Sequence, residues 1–163
     1  MQKMAWLAVR DRDPAAALGL TELGETGWRA GVDLAYFTDD RLIVTPPVDG
    51  WVLVLGMALM KDRPDVTGLS AALETEVQFF SSHRGLQVYR WQRARSGDLL
   101  RSFAATDGEI DEIGEASDLE RSFGQLVDDG DVHRVAAQWS VDPGTVNVPV
   151  RVFSNGSSSR GDR

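Results

Sequence analysis

The sequence predicts an α+β fold, with a mostly antiparallel sheet of about five to seven strands and helices packed on at least one face. Short β-rich runs separated by Gly, Pro and Asp turns predict the strands. Two stretches, 66–76 and 132–139, instead carry apolar residues at helical spacing. The 163 residues, 42% of them hydrophobic, suffice for one packed domain. We therefore predict a single globular domain over 1–153 and a Ser/Gly/Arg-rich disordered tail over 154–163.

The N-terminal part is predicted to begin with a strand at 4–9, which is almost wholly apolar. Asp13-Pro14 then predicts the start of a helix, since Asp accepts from free backbone N–H groups and Pro fits the first helical position. Residues 15–18 favour helix, and the glycines at 19, 24 and 27 leave its end undefined. Residues 28–37 match both a helical face and a strand, and we predict a short helix there.

A β-hairpin is predicted next, from residues 42–45 through the turn 46–50 to a second strand at 51–55. The second strand is apolar at both alternating positions, so both of its faces should be covered. It should therefore lie in the middle of the sheet, and the predicted topology depends on that placement.

A helix over 66–76, capped by Asp65 or Thr67, is predicted to lead into an antiparallel meander. The strands of this meander are predicted at 77–83, 86–95, 99–106 and 110–113.

The C-terminal part is predicted to be helical. Ser117 and Glu120 have the spacing of a capping box, and a second helix should begin at Asp131 and end before Pro143. The alternating valines of 145–153 predict a last strand. Because Pro149 lacks an N–H, we expect that strand at an edge of the sheet.

Composition limits the classes of function. The net charge is −8, which disfavours nucleic acid and anionic lipid as partners. No apolar run is long enough for a membrane span or a signal peptide, and cysteine is absent, so we predict a cytoplasmic protein without disulfides. No phosphate-binding glycine loop or dinucleotide fingerprint is present, and we predict no cofactor.

The charges are segregated along the chain. Residues 84–101 contain five arginines and one acid, whereas residues 107–131 contain ten acids and one base. These segments are either two solvated faces of opposite sign or an arginine-bearing strand pair that receives an anionic ligand or an acidic partner. We also interpret Glu74 and Glu76 as part of a solvated acidic surface.

Three short motifs carry a resemblance to other proteins. They are Thr45-Pro46-Pro47-Val48-Asp49-Gly50-Trp51, then Val77-Gln78-Phe79-Phe80 with Ser82-His83-Arg84, and Trp139-Ser140-Val141-Asp142-Pro143. Together they resemble a group of small bacterial cytoplasmic proteins with no established activity, over roughly residues 1–143. The resemblance implies a bacterial source and a single domain, and it transfers no catalytic residue.

The candidate ligand-binding residues lie on the predicted sheet. His83 and Arg84 end one strand, where sites are often built, and His titrates near neutral pH. Tyr89 and Trp91 share one side of the next strand, and Trp51 could join them across the sheet. These aromatic side chains either line an open pocket for a planar ligand or pack in the core.

A metal site is a weaker candidate. His133 lies close in sequence to Asp128, Asp129 and Asp131, but the spacing matches no calcium loop and also fits a helix start. We predict no metal.

Two functional hypotheses follow. The first is a non-enzymatic binding or interaction protein, immunity-protein-like or regulatory, whose acidic stretch covers a basic partner. The alternative is a small-molecule-binding protein or cofactor-independent enzyme of specialised metabolism that uses His83, Arg84 and the sheet aromatics. A ligand-sized pocket among those residues would favour the second hypothesis, and an exposed acidic patch would favour the first.

Overall fold

The computed structural model describes residues 3–155, which form one antiparallel sheet of nine strands. The strand order is β2-β9-β3-β4-β1-β5-β6-β7-β8. This confirms the α+β class and the antiparallel sheet, although the sheet has more strands than the five to seven expected. The strands are β1 (Lys3–Arg10), β2 (Leu20–Thr26), β3 (Arg41–Val44), β4 (Trp51–Leu55), β5 (Glu76–His83), β6 (Val88–Arg95), β7 (Asp98–Thr106), β8 (Glu109–Ile113) and β9 (Val150–Asn155).

Five α-helices accompany the sheet in the described part of the chain, together with a 3₁₀ turn at Pro143–Thr145. On the first face of the sheet, side chains of β1, β4, β5 and β6 share one buried cluster with side chains of α1 and α5. On the second face, side chains of β1, β4 and β5 share another cluster with side chains of α2 and α3. The helices are α1 (Trp28–Phe37), α2 (Ala58–Lys61), α3 (Val66–Leu73), α4 (Asp118–Arg121) and α5 (Asp129–Trp139).

Strand β4 lies inside the sheet, as predicted, between β3 and β1. All five of its residues are buried. Trp51, Leu53 and Leu55 belong to the first cluster, and Val52 and Val54 belong to the second. The absence of polar residues in this strand therefore reflects burial on both faces.

The prediction of a helix that starts at Asp13-Pro14 is wrong. Asp13 does accept from the N–H of Ala15 at 2.9 Å, but a single turn follows, closed by the bond from the N–H of Leu18 to the carbonyl of Pro14. Gly19 then adopts a positive φ of 69°, which ends the turn and directs the chain into β2. Strand β2 was not predicted.

Strand β9 is not an edge strand, which corrects the prediction for 145–153. It pairs with β2 on one side and with β3 on the other. Pro149 precedes its first residue, so the missing N–H of the proline removes no ladder bond. The strand also includes Ser154 and Asn155, which we had assigned to the tail. The rest of that predicted tail, 156–163, lies outside the described residues.

The remaining predicted elements agree with the structure to within a few residues. Residues 28–37 form α1, and β5 to β8 form the predicted meander. Helix α3 is capped by Asp65 and ends at Leu73, because Glu74 adopts a left-handed conformation. The capping box of α4 is present, and α5 begins at Asp129 because Asp128 caps it. No helix between residues 3 and 155 is long and apolar enough to cross a membrane.

Candidate functional site

The three predicted aromatic residues all belong to the first cluster, where they are buried. Trp51, Tyr89 and Trp91 are each at most 6% exposed. Trp91 stacks on Phe103 with ring centroids 4.2 Å apart, and Phe123 packs edge-on against it at 5.9 Å. These rings form part of the core and leave little aromatic surface for a planar ligand.

His83 and Arg84 are separated from Trp51 by the length of β1. His83 pairs with Lys3 at one end of that strand, and Trp51 pairs with Arg10 at the other end. Seven residues of strand correspond to about 23 Å. The structure therefore does not bring the five predicted residues into one site.

Both His83 and Arg84 have local partners. The His83 Nδ1 accepts from the N–H of Leu86 at 3.2 Å, and Arg84 forms an ion pair with Asp129 at 3.0 Å. Burial, followed by the negative charge of Asp129, raises the pKa of Tyr89, so Arg84 and Tyr89 lie near the same carboxylate.

A buried ion pair that sequence reasoning missed lies beside Trp91. Arg101 of β7 and Glu120 of α4 are both less than 10% exposed, and the Arg101 Nη2 lies 2.7 Å from the Glu120 Oε1. The same oxygen accepts from the Trp91 Nε1 at 2.7 Å. The other carboxylate oxygen accepts from the N–H of Ser117 at 2.9 Å and completes the capping box. The capping box thus orients a carboxylate that also neutralises a buried arginine.

Both members of this pair are charged at neutral pH. Burial raises the pKa of Glu120, but the hydrogen bonds from Ser117, Arg101 and Trp91 outweigh burial and hold the pKa below its ordinary value. Burial lowers the pKa of Arg101, and the hydrogen bonds to Glu120 and Glu112 raise it above its ordinary value. A buried pair is stable only when its remaining donors and acceptors are satisfied, as they are here.

A second charged cluster lies on the same face, around Glu76. The interpretation of Glu76 as a solvated acid is wrong, because its side chain is buried and holds Arg93 at 2.9 Å and Arg95 at 3.0 Å. Gln78 donates to the same carboxylate at 2.7 Å. Burial raises the pKa of Glu76, but the hydrogen bonds from Gln78, Arg95 and Arg93 and the positive charge of Arg93 outweigh burial and hold the pKa below its ordinary value. Arg93 also lies over the ring of Trp139, 4.9 Å from its centroid.

Two hollows flank the Arg101–Glu120 pair. One, of about 180 Å³, lies between the sheet and residues 116–127, and Trp91, Phe103 and Phe123 line it. The other, of about 330 Å³, is lined by Arg93, Arg95 and Trp139 among others. Every arginine that lines either hollow and belongs to the sheet already has a carboxylate partner.

The sequence predicted the acidic stretch, and the structure places its first part at a border of the sheet. Residues 106–115, which include β8, are all exposed. We call this segment the acidic edge. It holds five acids and no base, and two exposed isoleucines lie among the acids. The acids are Asp107, Glu109, Asp111, Glu112 and Glu115.

The arginine-rich and acid-rich segments are partly paired with each other. Arg84 contacts Asp129, and Arg101 contacts both Glu112 and Glu120. The charges therefore do not form two separate solvated faces. What remains exposed and unpaired lies mainly in the acidic edge, where Glu109, Asp111 and Glu115 have no ion-pair partner among residues 3–155.

The residues weighed as a metal site have other roles. Asp128 and Asp131 form the capping box of α5, and the His133 Nδ1 lies 2.6 Å from the Asp142 Oδ1. Within residues 3–155, no three His, Asp or Glu side chains are grouped so that they could hold a metal ion.

Comparison with known proteins does not assign the chain to a family: no family model, no curated protein and no solved structure matches it.

Proposed function

We propose that this chain is a non-enzymatic binding protein that holds a basic protein partner on its acidic edge. The observation that carries the proposal is the run of ten consecutive exposed residues, 106–115, with five acids and no base. A surface of one sign steers an oppositely charged partner and raises the association rate. An immunity-protein-like or regulatory role is a function of this kind.

Exposed apolar side chains also favour the acidic edge as a protein-binding surface. Ile110 and Ile113 lie between the acids of β8, and Leu126 is 82% exposed next to Ile110 in the hollow that both line. Protein interfaces combine an apolar centre with a charged rim. The outer backbone edge of β8 also pairs with no other described strand, so it can accept hydrogen bonds from a partner.

The alternative, a small-molecule-binding protein or cofactor-independent enzyme, has less support. This alternative requires His83, Arg84 and the three aromatic side chains to line one pocket. Trp51 and His83, however, pair with opposite ends of β1, which are about 23 Å apart. The ring of Trp91 is packed against Phe103 and Phe123, and Trp51 and Tyr89 are buried.

A charge-reversal experiment tests the proposal. We expect Glu109→Lys combined with Asp111→Lys to weaken capture of a basic partner by about tenfold or more. Both carboxylates are exposed and unpaired among the described residues, so the fold should be unaffected. The measurement is quantitative affinity purification from cells that naturally make the protein, followed by titration of the captured partner at low and high salt.

The matched control is Glu25→Lys combined with Asp33→Lys, which changes the net charge equally at exposed positions away from β8. The control should capture the partner as well as the wild type does. An equal loss in both variants would point to net charge rather than to the acidic edge. Failure of the wild type to retain any basic protein stoichiometrically would refute the proposed function.

A further inference from the structure

Arg90 in β6 differs from the other arginines of 84–101. Those four have carboxylate partners: Arg84 pairs with Asp129, Arg93 and Arg95 pair with Glu76, and Arg101 pairs with Glu112 and Glu120. The Arg90 side chain forms no hydrogen bond or ion pair with any residue from 3 to 155, although its Nε is shielded from solvent. A shielded N–H donor without an acceptor is costly, so an anion that accepts from the Arg90 Nε would stabilise this position.

A second unpaired donor lies directly across from Arg90. Ser81 in β5 is its cross-strand partner, which places the two Cβ atoms about 5 Å apart. Ser81 is 0% exposed, and its Oγ has no hydrogen-bond partner among the described residues. Two neighbouring buried donors therefore point to the same missing acceptor.

A second cation lies on the same face of the sheet, because α2 and α3, the helices on either side of Arg63, both pack there. Arg63, in the connection between α2 and α3, is exposed and forms no ion pair with a described residue. Burial lowers the pKa of Arg90, and the positive charge of Arg63 lowers it further, so the two guanidinium groups repel each other. Asp62 and Asp65 flank Arg63 in sequence, yet neither forms an ion pair with it, and Asp65 caps α3 instead.

Ligand can reach this part of the sheet. Alternation along β6 places Arg90 on the second face together with Ala94, and α3 covers the end of β6 and β7 near Gly97, whose N–H donates to the Ser70 Oγ at 2.9 Å. Farther from α3 the second face is only partly covered, since Arg90, Gln92 and Ser102 are half-buried.

We propose that Arg90, Arg63 and Ser81 form a binding site for a phosphate group. The cluster supplies two guanidinium groups and a hydroxyl, all of which can donate, and it contains no carboxylate partner. A phosphate dianion matches the charge of two arginines and offers enough oxygen acceptors for all three side chains. The site lies on the face opposite the Arg101–Glu120 pair. Asp111 of the acidic edge lies on the same face two strands away, across Ala104, and phosphate titration tests the site in the absence of the proposed partner.

Titration of the full chain with inorganic phosphate, in a phosphate-free buffer of low ionic strength, tests this site by calorimetry. We expect one saturable site in the wild type and about a tenfold or greater loss of affinity in both Arg90→Met and Arg63→Met. The matched control is Arg29→Met, because Arg29 is also an exposed arginine without an ion pair among the described residues, but it lies on α1. Its affinity for phosphate should equal that of the wild type.

Titrations with two other anions identify the class of ligand. Acetate should bind more weakly than phosphate, and equal or tighter binding of acetate would overturn the assignment to phosphate. Methyl phosphate distinguishes the source, because tighter binding than inorganic phosphate indicates a phosphate ester and weaker binding indicates the free ion.

Two other outcomes would also reject the site. They are the absence of saturation by phosphate at tens of millimolar and an equal loss of affinity in Arg29→Met. Misfolding is excluded separately by thermal unfolding without phosphate. Arg90→Met should melt no lower than the wild type, because it removes an unpaired cation whose Nε is shielded from solvent.

Discussion

Arg101 contacts two glutamates whose surroundings differ. The Glu120 oxygen lies 2.7 Å from the Arg101 Nη2 and its side chain is 4% exposed, whereas the Glu112 oxygen lies at 2.9 Å and its side chain is 48% exposed. Water competes for the second carboxylate and screens its charge, but it does not reach the first. Similar distances therefore correspond to unequal contributions to stability.

Replacing each glutamate separately should reveal this difference. We expect Glu120→Gln to reduce the free energy of unfolding by about 2–4 kcal/mol, because a buried arginine loses its main counter-charge. Glu112→Gln should cost less than about 1 kcal/mol, as exposed ion pairs do. Urea unfolding followed by circular dichroism measures both, and equal losses would contradict the distinction between the two carboxylates.

The pH dependence of stability provides a second readout of the same substitution. The pKa of Glu120 lies below its ordinary value in the folded chain, so the unfolded chain binds a proton more readily. Glu120 therefore stabilises the fold above its ordinary pKa, and that contribution is lost as the pH falls through the folded-state value. Glu120→Gln should reduce the loss of stability on acidification. It should not abolish it, because the pKa of Glu76 is also lowered in the fold.

Local spacing predicted only half of the role of Glu120. The capping box with Ser117 was visible in the sequence because its members are three residues apart. The partner Arg101 lies on a strand nineteen residues earlier, and no local pattern joins the two. Arg101 shares the inward side of β7 with Phe103, and an arginine at an inward position was the signal that could have identified it.

Local patterns also failed to show what covers the aromatic residues. Alternation correctly placed Tyr89 and Trp91 on one side of β6, but it could not tell an open surface from a covered one. The side chains that cover Trp91 include Phe123, which follows thirty-two residues later, just beyond α4.

At the scale of elements, burial of side chains separates β4, which was predicted, from β2, which was missed. Every residue of β4 is buried, and its composition alone predicted an internal position. No residue of β2 is buried, so its side chains carry no hydrophobic pattern. Strand β2 is held by backbone pairing with β9, and its prediction requires knowing that β9 is present and where it lies.

The docking of α1 on the sheet depends on Gly31. A Cβ at this position would lie 2.6 Å from the Val150 Cγ2 and 3.3 Å from the Ile43 Cγ2. Alanine favours helix over glycine by about 1 kcal/mol, but overpacking a buried contact costs about 1–3 kcal/mol. We expect Gly31→Ala to lower the melting temperature, measured by thermal unfolding.

A second substitution separates overpacking from other effects of Gly31→Ala. Val150→Ala removes the atom nearest to the new Cβ. Alone it should destabilise the protein by leaving a cavity, but combined with Gly31→Ala it should cost less than the sum of the two single losses. Strictly additive losses would show that the helix is not limited by this contact.

At the scale of the whole molecule, the sheet has two borders, and both are acidic. In the described chain β2 and β8 each pair on one side only. Strand β2 carries Glu22 and Glu25, and β8 carries Glu109, Asp111 and Glu112. Unpaired strand edges invite pairing with another chain, and charges on the edge prevent it. With a net charge of −8, copies of this chain should repel each other edge to edge.

Removing charge from one border should therefore cause self-association. Glu109→Thr combined with Asp111→Thr leaves β8 as a β-favouring strand that still carries Ile110 and Ile113 at its exposed surface. We expect sedimentation velocity to show a monomeric wild type and concentration-dependent dimers or larger species for the variant. Glu25→Thr combined with Asp33→Thr removes the same charge but alters only one acid of β2, and it should associate less. If the β8 variant sediments as a monomer up to its solubility limit, the shape of the edge rather than its charge prevents self-association. The acids of β8 would then be required only for binding the partner.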